Sequence, residues 1–242
     1  MKSASVNRMR ARPHPREDDV VTVVATLKRL GSRKTLDGMS RYAIPSDRAF
    51  GVPVGTMQKL ARKLGRNHEL AVRLWKTGWY EARMMCAFLD EPSLVTPAQM
   101  DRWCRDFDSW AIVDTVCFHL FDRAPHAPGK VATWCNRRAE FQKRAGFALL
   151  ACLALHNKDA ADEEFIRWLT LVGRGATDER NFVKKGVSWA LRSIGRRSAA
   201  LHARSLELAK RLANSRDAPS RWVGKDALRD LTRPALMKRF SR

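Results

Sequence analysis

Asp108-Ser109-Trp110-Ala111-Ile112-Val113-Asp114-Thr115-Val116-Cys117-Phe118-His119 is an apolar, helix-compatible run interrupted by one carboxylate. Ser109 is placed to cap a helix, and residues four apart then lie one above the other on one face. Trp110 and Asp114 therefore project together near the helix N-terminus, where a negative charge is electrostatically favoured. The product is a flat apolar ring beside a fixed charge. An isolated Trp/Asp pair is most often a packed ring beside a salt-bridged acid, so the rest of the chain has to decide what this pair does.

Working outward, the same helical period recurs. Val20 to Leu30 reads as a short amphipathic helix ended by Gly31, followed by turn chemistry through Pro45, Ser46, Asp47, Gly51 and Pro53. Gly55 to Leu64, His68 to Lys76 and Trp79 to Leu89 are helices separated by Gly65, Asn67 and Gly78. Thr96-Pro97-Ala98-Gln99 has a capping Thr, a Pro at the first helical position and a Gln suited to a capping box. Beyond it the spacing predicts helices over about 109–123, 129–156, 160–173, 179–196, 199–213 and 219–230. No run alternates as a strand does.

A chain of short helices joined by short turns, with a period of about 35 to 45 residues, predicts an all-α fold. The expected architecture is a right-handed or curved solenoid of HEAT-like antiparallel helical pairs with a concave basic groove. A compact helical bundle is the alternative. The expected organisation is a basic, flexible arm over residues 1–17, a single helical-repeat domain over 18–233 and a basic tail over 234–242. Arginine in the arm also suits a transit peptide, but Pro13 and Pro15 would interrupt its helix.

The 242 residues suffice for a core without disulfides or metals, and 45% hydrophobic content excludes a wholly disordered chain. Lysine and arginine number 46 against 25 acids, a net charge of +21. A folded chain this basic repels itself, so a polyanion is the natural partner; nucleic acid ranks ahead of an acidic membrane surface. Cys86, Cys104, Cys117, Cys135 and Cys152 are widely spaced and form no CxxC pair. They read as reduced, buried thiols rather than metal ligands, and separately no metal or organic cofactor is expected. No apolar run reaches the roughly 18 residues of a membrane span and no hydrophobic signal core opens the chain. The expectation is a cytoplasmic, nucleoid-associated monomer.

Two later stretches match the first in kind. Glu140 to Leu150 is a helix with Arg144 at the edge of a small, apolar stripe, and Asn181 to Arg192 is a helix carrying Trp189 among cations. From Trp110 to Arg144 is 34 residues and from Arg144 to Trp189 is 45, close to one repeat each. Equivalent helices of successive repeats line one wall of a solenoid, so Trp110, Asp114, Arg144 and Trp189 are candidates for a shared groove. A core Trp and a salt-bridged Arg are the plainer alternative.

The order of motifs resembles the AlkD family of DNA alkylation repair glycosylases. The resemblance runs from about Val20 to Arg233: Met39 and Tyr42, Phe50-Gly51-Val52-Pro53, Leu60-Ala61-Arg62-Lys63, Leu74-Trp75, Glu81-Ala82-Arg83-Met84, Ser109-Trp110 with Asp114, Arg144-Ala145 and Lys185 to Arg192. It implies that Asp114 holds the catalytic carboxylate, that Trp110 and Trp189 are cleft tryptophans, and that Arg144 contacts the DNA backbone. The family often carries an acid directly after the first cleft Trp, where this chain has Ala111.

The implied substrate is duplex DNA bearing 3-methyladenine or 7-methylguanine. Such a base is cationic and leaves as a neutral molecule, so no general acid is required. What needs stabilising is positive charge on the deoxyribose, an oxocarbenium-like state of the kind carboxylates handle in glycosidases. Trp110 and Trp189 would offer π faces to that charge, and the resemblance implies a lesion that stays stacked rather than entering a deep pocket. Lys184, Lys185, Arg192, Arg196 and Arg197 join Arg144 as expected DNA contacts; Lys225, Arg229, Lys238 and Arg239 make a basic C-terminal region. A non-catalytic DNA-binding repeat protein and a scaffold for an acidic protein are the competing functions.

Overall fold

Helix starts are set by side-chain caps. Ser32, Asn67, Thr96, Ser109, Ser198 and Asp217 each accept a hydrogen bond from the backbone N–H three residues on, satisfying a donor that a helix end otherwise leaves free. The computed structural model describes residues 19–240. Fourteen α-helices are found among them: α1 (Val20–Leu30), α2 (Arg33–Met39), α3 (Val54–Leu64), α4 (His68–Trp75), α5 (Tyr80–Leu89), α6 (Pro97–Arg105), α7 (Trp110–His119), α8 (Ala127–Cys135), α9 (Glu140–His156), α10 (Asp162–Gly175), α11 (Asn181–Ile194), α12 (Ala199–Ala213), α13 (Ala218–Leu231) and α14 (Pro234–Phe240). The described residues contain no strand.

The helices stack in two rows. α3, α5, α7, α9, α11 and α13 pack in succession, while α8, α10 and α12 form a row behind them, and α4, α8 and α12 lie against α5, α9 and α13. This is the solenoid of helical pairs expected from helix spacing. One apolar core runs through it from Val23 to Leu231. α9 lies at its centre, with Ala145 through Ala154 all buried. At Gly146 a Cβ would stand 2.3 Å from the Cys135 amide nitrogen. Only glycine allows α8 and α9 to approach so closely.

The eight tryptophans sort by environment. Trp75, Trp103, Trp134 and Trp168 are buried; Trp75 and Trp103 stack at 4.0 Å, and the indole N–H groups of Trp75 and Trp134 donate to Asp106 and Asp101. Trp79, Trp110, Trp189 and Trp222 are only partly covered. All five cysteines are free and buried, and burial pushes the Cys104 and Cys135 thiols up to about 12.

Two sequence expectations are corrected. The helix expected over 129–156 is two helices, reversing at residues 136–139, and Pro128 lies inside the first turn of α8 rather than before it. Asn136 ends α8 by donating from its side chain to the Ala132 carbonyl, a stop with neither Gly nor Pro. The loop expected after Gly31 contains α2 and a 3-10 turn, Ser40–Tyr42. The C-terminal tail is helical over Pro234–Phe240, with Phe240 against His202 at 4.9 Å. The arm expected over residues 1–17 lies outside the described residues.

Candidate functional site

The geometry begins at the cap. Ser109 Oγ accepts the Ile112 N–H at 3.4 Å and starts α7, which places Trp110 in the first turn and Asp114 one turn later. The Trp110 indole N–H donates to the Tyr42 carbonyl at 2.8 Å. Tyr42 precedes Ala43, which has a left-handed backbone (φ 51°), a conformation that costs a non-glycine residue energy. The segment carrying them is tied down at both ends. Ser32 N–H donates to the Gly51 carbonyl, and the fully buried Glu81 carboxylate accepts the N–H groups of Phe50, Gly51 and Val52 at 2.8 to 3.2 Å.

Asp114 faces Arg144 across the α7–α9 packing. Arg144 Nε donates to Oδ1 at 2.9 Å and Nη2 to Oδ2 at 2.6 Å, while Nη1 donates to the Phe182 carbonyl at 2.6 Å. Arg144 is 6% exposed, so its whole guanidinium is committed within the protein. The Asp114 side chain keeps 23% of its surface open. Burial pushes its carboxyl above the ordinary carboxylate range, and the Arg144 charge and hydrogen bonds offset this only in part.

The opening has two compartments that share Asp114, Arg144 and Lys185. One, about 410 Å³, is walled by Arg41, Tyr42, Trp110 and Phe182. The other, about 420 Å³, is walled by Trp189, Arg192, Trp222 and Asp226. Lys184 lies over the Trp222 ring at 5.2 Å. The buried Ser188 hydroxyl donates to Asp226 at 2.6 Å, and Arg192 approaches the same carboxylate at 3.7 Å. The cleft thus places Asp114 where two indole-bearing compartments meet, with the exposed Lys185 beside it and a second carboxylate, Asp226, in the wall of one of them.

Trp110, Asp114, Arg144, Lys185, Trp189 and Arg192 are therefore brought together. Arg144 is expected at the DNA backbone, but its side chain instead holds Asp114. Arg196 pairs through two nitrogens with Asp230 and lines a different hollow with Arg233 and Arg239. Arg197 lines neither compartment: its side chain is 7% exposed and donates to the carbonyls of Asn157, Lys158 and Ala160. Neither lines the cleft, and each is held by a partner some 30 to 40 residues away in sequence. Arg41, Tyr42, Phe182, Trp222 and Asp226 are cleft residues that sequence reasoning missed or left without a role. A Trp set among Ser220, Arg221 and Lys225 was the one signal the sequence offered, at position 222. Ala111 is 7% exposed, turned from the opening.

Among the described residues no helix is long and apolar enough to cross a membrane, and no three His, Cys, Asp or Glu side chains converge as metal ligands.

A family profile described as "DNA alkylation repair enzyme" matches residues 23–231. A solved structure described as "a new family of proteins related to the HEAT-like repeat DNA glycosylases with affinity for branched DNA structures" superposes with a TM-score of 0.73 at 22% identity, over 87% of this chain and 94% of that one. At that identity the likeness is one of fold. No curated protein matches the chain.

Proposed function

Because the chain belongs to the DNA alkylation repair enzyme family, we propose that it is a DNA glycosylase releasing cationic alkylated purines, 3-methyladenine and 7-methylguanine, from duplex DNA. The observation that carries this reading is Asp114, a partly open carboxylate held between Trp110 and Trp189 in one cleft. Pure DNA binding gains nothing from a negative charge there.

In the mechanism, breaking the N-glycosidic bond sends the electron pair to the base, which leaves neutral, and positive charge develops on the deoxyribose. Asp114 faces that charge. A carboxylate about 4 Å away at an effective dielectric near 20 contributes about 4 kcal/mol before the opposing charge of Arg144 is counted. Each carboxylate oxygen accepts one bond from Arg144, leaving acceptor capacity on both for the sugar or for the attacking water. Arg144 is a positioning residue, since its two-pronged grip fixes the carboxylate plane. Trp110, itself fixed by Tyr42, and Trp189 supply ring faces that favour a cation and exclude water. Lys185, Arg192 and Arg41 are the phosphate contacts.

A second reading rests on the Asp114–Arg144 pair: a carboxylate already neutralised serves as a structural strut, and the chain binds DNA without cutting a glycosidic bond. The protein of similar fold, whose family is described as having affinity for branched DNA, makes branched DNA the probe for that case. Incubating the full chain with methylated duplex DNA and measuring free 7-methylguanine and 3-methyladenine separates the two. Release above the spontaneous rate, lost in Asp114→Asn, supports the glycosylase. Binding to branched DNA without release supports the strut.

A further inference from the structure

A second opening, of about 500 Å³, shares no lining residue with the cleft. It lies where the C-terminal ends of α3, α5 and α7 meet, and Arg62, Arg66, Phe88, His119 and Arg123 dominate its wall. His119 is nine residues beyond Trp110 on α7, about 14 Å along the helix, so the two openings flank one helix. No acidic residue lines this one. Arg62 and Arg123 are exposed and form no ion pair among the described residues; Arg66 donates to the Asp90 carbonyl rather than to a carboxylate.

Three guanidinium groups in one wall with no carboxylate among its lining residues favour an anion in the opening. Burial holds the His119 imidazole below its ordinary pKa, and two of these groups, Arg123 and Arg66, add to it together with His156. One wall is aromatic. Phe88 and His119 stand 4.9 Å apart, inclined at 59°, and Phe118 backs His119 at 5.0 Å. Gln58 offers an amide donor and acceptor at the same opening. A planar ring and a phosphate are the two chemistries such walls accept, and the volume is in the range of a small-ligand site.

We infer that this opening is a subsite for an unpaired nucleotide of a DNA strand, its base against Phe88 and His119 and its phosphates against Arg62, Arg66 and Arg123. The inference rests on the DNA-binding part of the function proposed above, not on its chemistry. It makes single-stranded DNA beside a duplex a better ligand than duplex alone.

The test is fluorescence anisotropy on the full chain with a blunt duplex and the same duplex carrying a short single-stranded extension. Wild type binds the extended duplex roughly tenfold more tightly, the effect of one stacked base. Arg62→Ala/Arg123→Ala removes that preference, lowers the salt slope on the extended duplex by about 1.4 and leaves blunt-duplex binding and the melting temperature unchanged. Phe88→Leu reduces the preference without changing the slope. Thymidine monophosphate competes for the extension; inorganic phosphate does so far less well. Equal binding of the two duplexes by wild type, equal weakening of both by the double variant, or equal competition by phosphate overturns the subsite. Wild type that binds neither duplex would remove the DNA reading itself, whereas equal binding of both removes only the subsite.

Discussion

Asp114 of α7 and Arg144 of α9, thirty residues apart in sequence, meet through two hydrogen bonds of 2.9 and 2.6 Å. The contact holds a carboxylate at the mouth of a cleft while its partner is almost wholly covered. Arg144 thereby does a different task from the one its charge suggests. Its nitrogens are bonded to an acid and a carbonyl within the protein.

Removing the fork should be costly. Arg144→Ala leaves Asp114 without its counter-charge and the Phe182 carbonyl without its donor, and it is expected to lower stability by roughly 3 kcal/mol. Arg144→Lys keeps the charge but not the paired geometry, and should fall between the two. Urea denaturation at neutral pH measures both; an Ala variant as stable as wild type would show that the pair contributes little.

The raised pKa of Asp114 fixes the acid side of the activity profile. The ionised form is the one that faces the sugar, so base release falls as pH drops through a value above the ordinary 3.9. The same shift has the opposite sign for folding: the protonated carboxyl favours the folded state, a contribution present below the unfolded value and lost as pH rises through the folded one. Single-turnover release between about pH 3 and 8, corrected for spontaneous loss, locates the limb. A midpoint at or below 3.9 would contradict the burial argument.

Asp178 gives the reverse case. The hydrogen bonds of Arg180 and Lys143 hold its carboxyl well below the ordinary range despite its burial. Its contribution is therefore present above the unfolded value of about 3.9 and is lost as pH falls through the folded one. Asp178→Asn should cost about 2 kcal/mol at pH 7, and the gap between variant and wild type should narrow steadily in urea melts taken at more acid pH. A gap independent of pH would mean that the loss is one of packing.

Two cations of similar expectation should separate in one experiment. Lys185→Ala is predicted to lower the slope of log affinity for DNA against log salt by about 0.9 with an unchanged melting temperature. Arg197→Ala, which strips donors from three carbonyls, should lower the melting temperature and leave the slope alone. Matching slopes would return Arg197 to the DNA-binding set.

What was legible in the sequence is local. Ser109, Trp110 and Asp114 fall within six residues, and a capped helix alone brings ring and acid together. Repeat spacing carried the inference one step further, to Arg144 and Trp189. Tyr42 and Trp222 reach the cleft only through the tertiary fold, the first by a tethered segment between Ser32 and Gly51 and the second from α13. The reversal at 136–139 escaped notice because a side-chain amide and a tight α8–α9 approach make it, not a Gly or Pro in the turn. The internal partners of Arg196 and Arg197 were not legible because charge alone says nothing about which distant carboxylate or carbonyl a guanidinium meets.

The most direct measurement is the release of free 7-methylguanine and 3-methyladenine from methylated duplex DNA by wild type and Asp114→Asn, with duplex binding followed in parallel. The account predicts release by wild type well above the spontaneous rate, a loss approaching a thousandfold in the variant if Asp114 supplies most of the roughly 4 kcal/mol, and duplex binding retained by both. Wild-type release no faster than spontaneous loss, or full release by Asp114→Asn, would contradict it.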